Sequence, residues 1–200
     1  MLSKIRIGVF ISGGGSNLQA IIDACEKGIL KDIAQVSLVI SNRPDAYGLE
    51  RAKKHNIESV YIDKKKFPDN KAYCSRLVIE LMERNIDIVC LAGFLLKLET
   101  NFIRAFSKSI INIHPALLPK FGGKGMYGHF VHEAVIRAKE KESGATVHFV
   151  DEEYDHGKII LQKKVQVSEN ETSINLAQKV LKVEHEIYPE AIKLVIRDKV

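Results

Sequence analysis

Residues 5–25, IRIGVFISGGGSNLQAIIDAC, decide the fold. Ile7, Val9, Phe10 and Ile11 make Ile5 to Ser12 a short, nearly continuous apolar run, the pattern of a strand buried on both faces. Gly13-Gly14-Gly15-Ser16-Asn17 then breaks the run, and Leu18, Ile21, Ile22 and Cys25 follow at i, i+3, i+4 and i+7, one apolar helix face with Gly28 placed to end it. Strand, glycine turn and helix start together offer free backbone N–H groups and the positive end of a helix dipole, an arrangement suited to an anion. The Gly-x-Gly-x-x-Gly spacing of dinucleotide sites is absent, because Leu18 stands where the third glycine belongs counting from Gly13, and no Gly-Lys-Ser/Thr follows. A single phosphate monoester suits this turn; a tight strand-to-helix connection with no ligand is the alternative reading.

Outward from that unit the chain alternates. Strands are expected at Gln35–Ser41, Ser59–Ile62, Ile86–Leu91 and Ile110–His114, with helices over 48–55, 70–84, 99–106 and 129–141 between them. The helix at 70–84 should bury Tyr73, Leu77, Val78 and Leu81, and the one at 129–141 should turn Phe130, Ala134, Val135 and Ala138 inward. Lys64 to Lys66 reads as a loop. Gly144–Val150 and Ile159–Val167 are joined so briefly that they must pair antiparallel. A terminal helix over 173–197 contains Pro189, where a kink is expected. The pattern predicts an α/β class: a doubly wound, mostly parallel, Rossmann-like sheet with antiparallel strands at one edge and a long C-terminal helix. In such sheets ligands gather at the carboxyl ends of strands, so the loops after Ser12, Leu91 and Ile113 are expected to meet. The chain reads as a single domain over 1–200, with a phosphate-binding half at 1–110 and a catalytic half at 111–200.

Composition narrows the function classes. With 46% hydrophobic residues the 200-residue chain can bury a core, and 30 basic against 25 acidic residues give a net charge of +5. The charges are interspersed, a mild cationic bias that suits small anionic ligands and gives little support for nucleic acid. Cys25, Cys74 and Cys90 are widely spaced and form no Cys-x-x-Cys pair, as expected of buried thiols in a reducing compartment, and no metal site is expected. The early apolar run stops at Gly13, too short for a signal sequence or a membrane span, which predicts a soluble cytoplasmic protein with no membrane partner.

The chemistry is expected in Ile110 to Gly123, where the strand Ile-Ile-Asn-Ile-His runs into Pro115. Asn112 and His114 fall two apart, so in an extended strand both project from one face, and Pro115 favours extended backbone at His114. A polar pair in an apolar strand costs stability unless something there needs it. An amide donor can hold an oxyanion, an imidazole can move protons, and a carboxylate beside the ring would orient it and favour its protonated form. Asp155, in an Asp-His-Gly turn beside the antiparallel strands, is the candidate carboxylate; alone it would pass for an ordinary turn residue. The glycine-rich loop from Lys120 to Gly128, with Tyr127 in it, can move over a site.

Four ordered motifs, Ser12 to Asn17, Leu91-Ala92-Gly93-Phe94, Asn112-Ile113-His114-Pro115 with Leu117-Leu118-Pro119, and Asp155-x-Gly157, resemble those of the folate-dependent formyltransferases over nearly the whole chain. The resemblance implies the formyltransferase fold and transfer of a formyl group from 10-formyltetrahydrofolate, a co-substrate, to the amine of glycinamide ribonucleotide in purine synthesis, with no metal. It implies that Asn112 holds the formyl oxygen, His114 transfers protons, Asp155 orders the imidazole and a relaying water, and His148 supports them. By the same resemblance Gly14, Gly15, Ser16 and Asn17 meet the phosphate or ribose, and Glu184 the glycinamide end. Leu95, Leu96, Lys97 and Leu98, with Asn70, Asn112 and the turn near Asp155, would hold the folate. Many relatives have Met-Arg where this chain has Leu95-Leu96, which leaves the partner of the folate glutamate open, with the Lys64 to Lys66 run or Lys71 as substitutes. The loop beyond Pro119 also lacks a proline common near Gly122. The protein is expected as a monomer or weak homodimer. A formyltetrahydrofolate deformylase would be expected to carry an N-terminal regulatory domain and a methionyl-tRNA formyltransferase a C-terminal RNA-binding domain; a non-catalytic sugar-phosphate module is the remaining alternative.

Overall fold

A computed structural model describes residues 3–198. The strands β1 (Ile5–Ile11), β2 (Ala34–Ser41), β3 (Ser59–Tyr61), β4 (Ile88–Leu91), β5 (Ile110–His114), β6 (Glu142–Phe149) and β7 (Ile159–Gln166) form a seven-stranded sheet in the order β3-β2-β1-β4-β5-β6-β7. The helices are α1 (Ser16–Glu26), α2 (Tyr47–Lys54), α3 (Asn70–Glu83), α4 (Thr100–Ala105), α5 (His129–Arg137) and α6 (Ser173–Arg197). The chain divides into two compact units, the first ending at Ile111 and the second starting at Asn112.

In the first unit β1 lies between β2 and β4, parallel to both, and β3 extends the sheet in parallel beyond β2. Ile7, Val9, Phe10 and Ile11 are fully buried, as a strand covered on both faces requires. Gly8 sits where a side chain would come within 2.9 Å of the Leu81 side chain, so its bareness lets α3 close on the strand. Leu18, Ile21, Ile22 and Cys25 make the buried face of α1. Gly28 ends this helix for a different reason from the one its position suggests: a Cβ there would stand 2.8 Å from the Ala24 Cα, and its backbone is not left-handed. On α3 the buried apolar face is Tyr73, Cys74, Leu77 and Leu81, with Cys74 in the place expected for Val78, which is half-buried. The Glu80 carboxylate is also buried, and Arg76 and Arg84 pair with it one turn away on either side. Lys64 to Lys66 form a short 3-10 turn rather than an open loop, because Asp63 accepts the Lys65 N–H at 2.9 Å.

In the second unit β6 and β7 pair antiparallel, with a register shift between Val147 and His148: Val147 faces Leu161 and His148 faces Ile159, leaving Ile160 as the extra residue. Ala145, Thr146, Val147 and His148 are all buried, so both faces of β6 are covered. β7 is largely exposed and carries Lys163 and Lys164, the charges that discourage edge-to-edge pairing. α6 packs on both strands and continues as helix through the buried Pro189. α5 stops at Arg137, short of 141, where Lys139 turns left-handed at φ 53°. Its buried face is Val131, His132 and Val135; Phe130 is exposed and meets Tyr127 edge-on at 5.3 Å, because the helix is rotated from the expected face. No helix among the described residues is long and apolar enough to cross a membrane.

Candidate active site

The glycine turn is built from backbone. Gly15 caps α1 with φ 68°, a left-handed conformation that suits glycine, and a Cβ there would lie 2.7 Å from the Gly48 Cα at the start of α2. Gly48 in turn leaves no room, since its own Cβ would come 2.3 Å from the Ile11 side chain. Around Gly13 and Gly14, by contrast, an added Cβ would meet nothing within 4 Å. Ser16 and Asn17 open α1, and Asn17 is buried.

Beside the turn, the buried Ser12 hydroxyl donates to Asn42 Oδ1 at 2.6 Å and accepts the Leu95 N–H at 3.0 Å, which ties the segment after β4 to the end of β1. Leu95 is exposed, Leu96 half-buried and Leu98 buried, an apolar strip with backbone groups alongside. Asn70 holds this strip in place, donating to the Lys97 carbonyl at 3.0 Å and to Glu99 Oε1 at 2.7 Å. Those bonds engage its amide nitrogen, and Oδ1 has no partner among the described residues.

The second unit holds a cluster of side chains at the end of β5. His114 is 3% exposed; its Nε2 lies 2.8 Å from the Phe121 carbonyl, an acceptor only, so Nε2 carries the hydrogen. Its Nδ1 faces Asp155 Oδ2 at 3.6 Å, too far for a direct hydrogen bond. The same carboxylate oxygen accepts the Gly123 N–H at 2.9 Å. The other, Oδ1, stands 3.6 Å from His148 Nε2.

His148 fixes Asn112. Its Nδ1 meets the Phe149 carbonyl at 2.8 Å and must donate, so in the neutral ring Nε2 accepts from Asn112 Nδ2 at 3.1 Å. Turning the amide over would set two lone pairs against each other. One Asn112 hydrogen is thereby anchored, and the second meets no acceptor among the described residues.

Electrostatics follow from burial. His114 titrates below its usual 6.5, because burial outweighs the opposing pull of Asp155 and of the Phe121 carbonyl. Asp155 favours the protonated ring, as a neighbouring carboxylate is expected to, but desolvation dominates and the net shift is downward. Burial alone would raise the Asp155 carboxyl; the neighbouring His148 and His114 rings and the Gly123 N–H together overcome it and hold it below the usual carboxylate value. Asp155 is itself left-handed at φ 55°, a conformation aspartate tolerates, and Gly157 after it lies where any Cβ would strike the Phe149 carbonyl.

The loop after His114 is pinned rather than loose at its start. Thr146 Oγ1 donates to the Ala116 carbonyl at 2.6 Å and accepts the Leu118 N–H at 3.1 Å, and Gln162 bonds both Thr146 and the Leu118 carbonyl. The Leu118–Pro119 bond is cis, and Phe121 is left-handed at φ 57°, next to the carbonyl it offers to His114. His132 on α5 is buried and is pushed below 6.5 by burial and then by the charge of His114; its Nδ1 makes no hydrogen bond among the described residues. Glu184 lies on the buried face of α6. Thus Asn112, His114, His148 and Asp155 are linked in one cluster, while Gly14 to Asn17 and Leu95 to Leu98 belong to the first unit. Phe121, Gly123, Thr146, Gln162 and Gly48 all shape these regions, and nothing in the sequence pattern singled out the first four. Only Gly48, a poor helix former opening a helix, offered a usable signal.

Comparison with known proteins agrees with this architecture. The formyl transferase family matches residues 5–192. Phosphoribosylglycinamide formyltransferase of Haemophilus influenzae is 40% identical over 188 residues, covering 94% of this chain and 85% of that protein. The chloroplastic enzyme of Arabidopsis thaliana is 41% identical over 98% of this chain, which spans 66% of its length, and for the trifunctional purine biosynthetic protein adenosine-3 of Drosophila melanogaster the span is 14%. The crystal structure of glycinamide ribonucleotide transformylase 1 from Symbiobacterium toebii superposes with a TM-score of 0.92 at 42% identity, covering 98% of this chain and 89% of that one. The chain belongs to the formyl transferase family.

Proposed function

We propose that the protein transfers the formyl group of 10-formyltetrahydrofolate to the amine of glycinamide ribonucleotide, by direct attack through a tetrahedral intermediate. The observation that carries this reading is the Asn112–His148–Asp155–His114 chain, in which one amide hydrogen is anchored at 3.1 Å and the other is free. The folate brings an activated formyl carbonyl. When the amine adds, negative charge builds on the formyl oxygen, and the free Asn112 hydrogen is placed to receive it, a contribution typically of about 10²–10³ in rate. His114, neutral near pH 7 because it titrates below 6.5, takes the proton from the attacking amine, and Asp155 stabilises the imidazolium that results. That proton then goes to the departing folate nitrogen. His148 positions the Asn112 amide without touching the reacting atoms.

The exposed and half-buried leucines at 95 and 96, with backbone N–H and C=O groups beside them, fit a flat ring that is apolar on its faces and polar at its edges. Asn70 contributes by holding this strip. The turn at Gly14 to Asn17 takes the phosphate of the ribonucleotide, and Glu184 its glycinamide end. Relatives named phosphoribosylglycinamide formyltransferase, about 40% identical over nearly the whole chain, support the choice of substrates. The test is turnover of 10-formyltetrahydrofolate with and without glycinamide ribonucleotide. Formylation of the amine is expected; folate consumption independent of the amine would make the protein a hydrolase, and no turnover would leave a sugar-phosphate binding module.

A further inference from the structure

Within the first unit the glycine turn is held by a helix that takes no other part in the site described above. Gly13 O accepts the Gly48 N–H at 3.1 Å, and Gly14 O accepts Arg51 Nε at 2.8 Å, so two successive carbonyls are drawn towards α2. These peptides are trans, which sets the N–H of the following residue in the peptide plane on the opposite side of the C–N bond from each carbonyl. The Gly14 and Gly15 N–H groups therefore point away from α2. Neither meets an acceptor among the described residues, and the space around Gly13 and Gly14 is open. Arg51 is itself fixed. Its Nη1 donates to Gln19 Oε1 at 3.1 Å, and its guanidinium lies 5.1 Å from the Tyr47 ring centre. The Gln19 amide cannot turn over, because its nitrogen serves Asp23 Oδ1 at 3.0 Å and His55 Nε2 at 3.1 Å, with His55 Nδ1 on Glu26 at 2.7 Å. The Arg51 Nη2 nitrogen makes no protein hydrogen bond among the described residues.

We propose that Arg51 is the positioning residue of the phosphate turn: it locks the Gly14 peptide so that consecutive amides face the anion, and it sets a fixed positive charge beside them. This rests on the reading that the turn receives the phosphate of the acceptor substrate. Lysine cannot replace it fully, since one ammonium cannot reproduce the fork that reaches the Gly14 carbonyl and Gln19 together.

The experiment is steady-state kinetics on the full chain carrying Arg51→Ala, Arg51→Lys or Gln19→Leu, with ribose 5-phosphate as a competitor and as a calorimetric ligand. Arg51→Ala should raise KM for glycinamide ribonucleotide by about 10- to 100-fold, the size of a lost charge-assisted contact. The inhibition constant for ribose 5-phosphate should rise in parallel, and KM for the folate should move less than about twofold. Arg51→Lys should recover part of the loss, and Gln19→Leu, which keeps the charge but frees the guanidinium, should fall between wild type and Arg51→Ala. Unchanged ribonucleotide KM, or equal rises in both KM values, would overturn the proposal. If the wild type failed to formylate the ribonucleotide, the functional reading would fall, yet calorimetry would still decide this one: equal ribose 5-phosphate affinity in wild type and Arg51→Ala would sink it.

Discussion

The glycine turn at 13–17 and the cluster around Asn112 are opposite solutions to holding a polar site. The turn has almost no side chains; glycines at 13 and 14 face open space, and Gly15 adopts φ 68° against the Gly48 backbone. The cluster is made of buried side chains, with His114 and His148 each 2–3% exposed, and His114 Nε2 and both His148 nitrogens each assigned a role by a hydrogen-bond partner. Backbone amides recognise a charge that is present before and after a reaction. Buried side chains with shifted protonation meet a charge that exists only during it. Substitutions in the two regions should therefore change different kinetic constants.

The largest effect should come from the cluster. His114→Ala removes the proposed proton acceptor and should lower kcat by about 10²–10⁴, with ribonucleotide affinity by calorimetry nearly kept. Loss of affinity instead would mean that His114 is a structural residue and that the contrast is false. Asn112→Ala should lower kcat by about 10²–10³ and likewise spare KM for the ribonucleotide. A rise in that KM with kcat intact would move Asn112 from the reaction to the binding side.

The turn should answer the other way. Gly15→Ala places a Cβ 2.7 Å from the Gly48 Cα on a left-handed residue, a strain of about 1–3 kcal/mol in this conformation. The expected result is a rise of about tenfold or more in KM for the ribonucleotide, accompanied by a lower melting temperature. Gly13→Ala, where nothing lies within 4 Å, should leave the melting temperature nearly unchanged. If both substitutions destabilised the protein equally, the turn would be a packed structural element and not an open cradle.

The same contrast explains what could be read from the sequence. Strand, glycine turn and helix announce themselves through periodicity, and Asn112 and His114 stand out because polar residues two apart in an apolar strand demand a reason. Asp155 was legible as a candidate, although its link to both histidines depends on a left-handed residue and on the irregular pairing at His148. Carbonyl and amide partners leave no trace, since every residue has them: Phe121 O and Gly123 N could equally have come from neighbours. Hydrophobicity alone would place Phe130 on the inner face of α5, whereas it is exposed and its ring meets the exposed Tyr127. Arg51 escaped for a related reason. Three residues beyond Gly48 it occupies the same helix face, but only the fold shows that this face meets the turn.

The smallest and most discriminating effect is in pH dependence. His114 titrates below 6.5 in the folded protein and near it when unfolded, so the buried ring contributes stability that is present above 6.5 and lost as pH falls through the folded value. His132 shifts in the same direction and adds to this loss. If neutral His114 is the proton acceptor, the acid limb of kcat/KM lies below 6.5. Asp155 raises the affinity of His114 for a proton, so Asp155→Asn should move that limb to still lower pH while reducing the plateau. A limb that stays in place would show that Asp155 acts on His114 only by holding the Gly123 N–H and the surrounding loop. A limb that moves upward would mean that a group other than His114 sets the profile. The glycine turn gives the control, because Gly15→Ala changes no charge near the ring and should alter the height of the profile in kcat/KM without moving its acid limb.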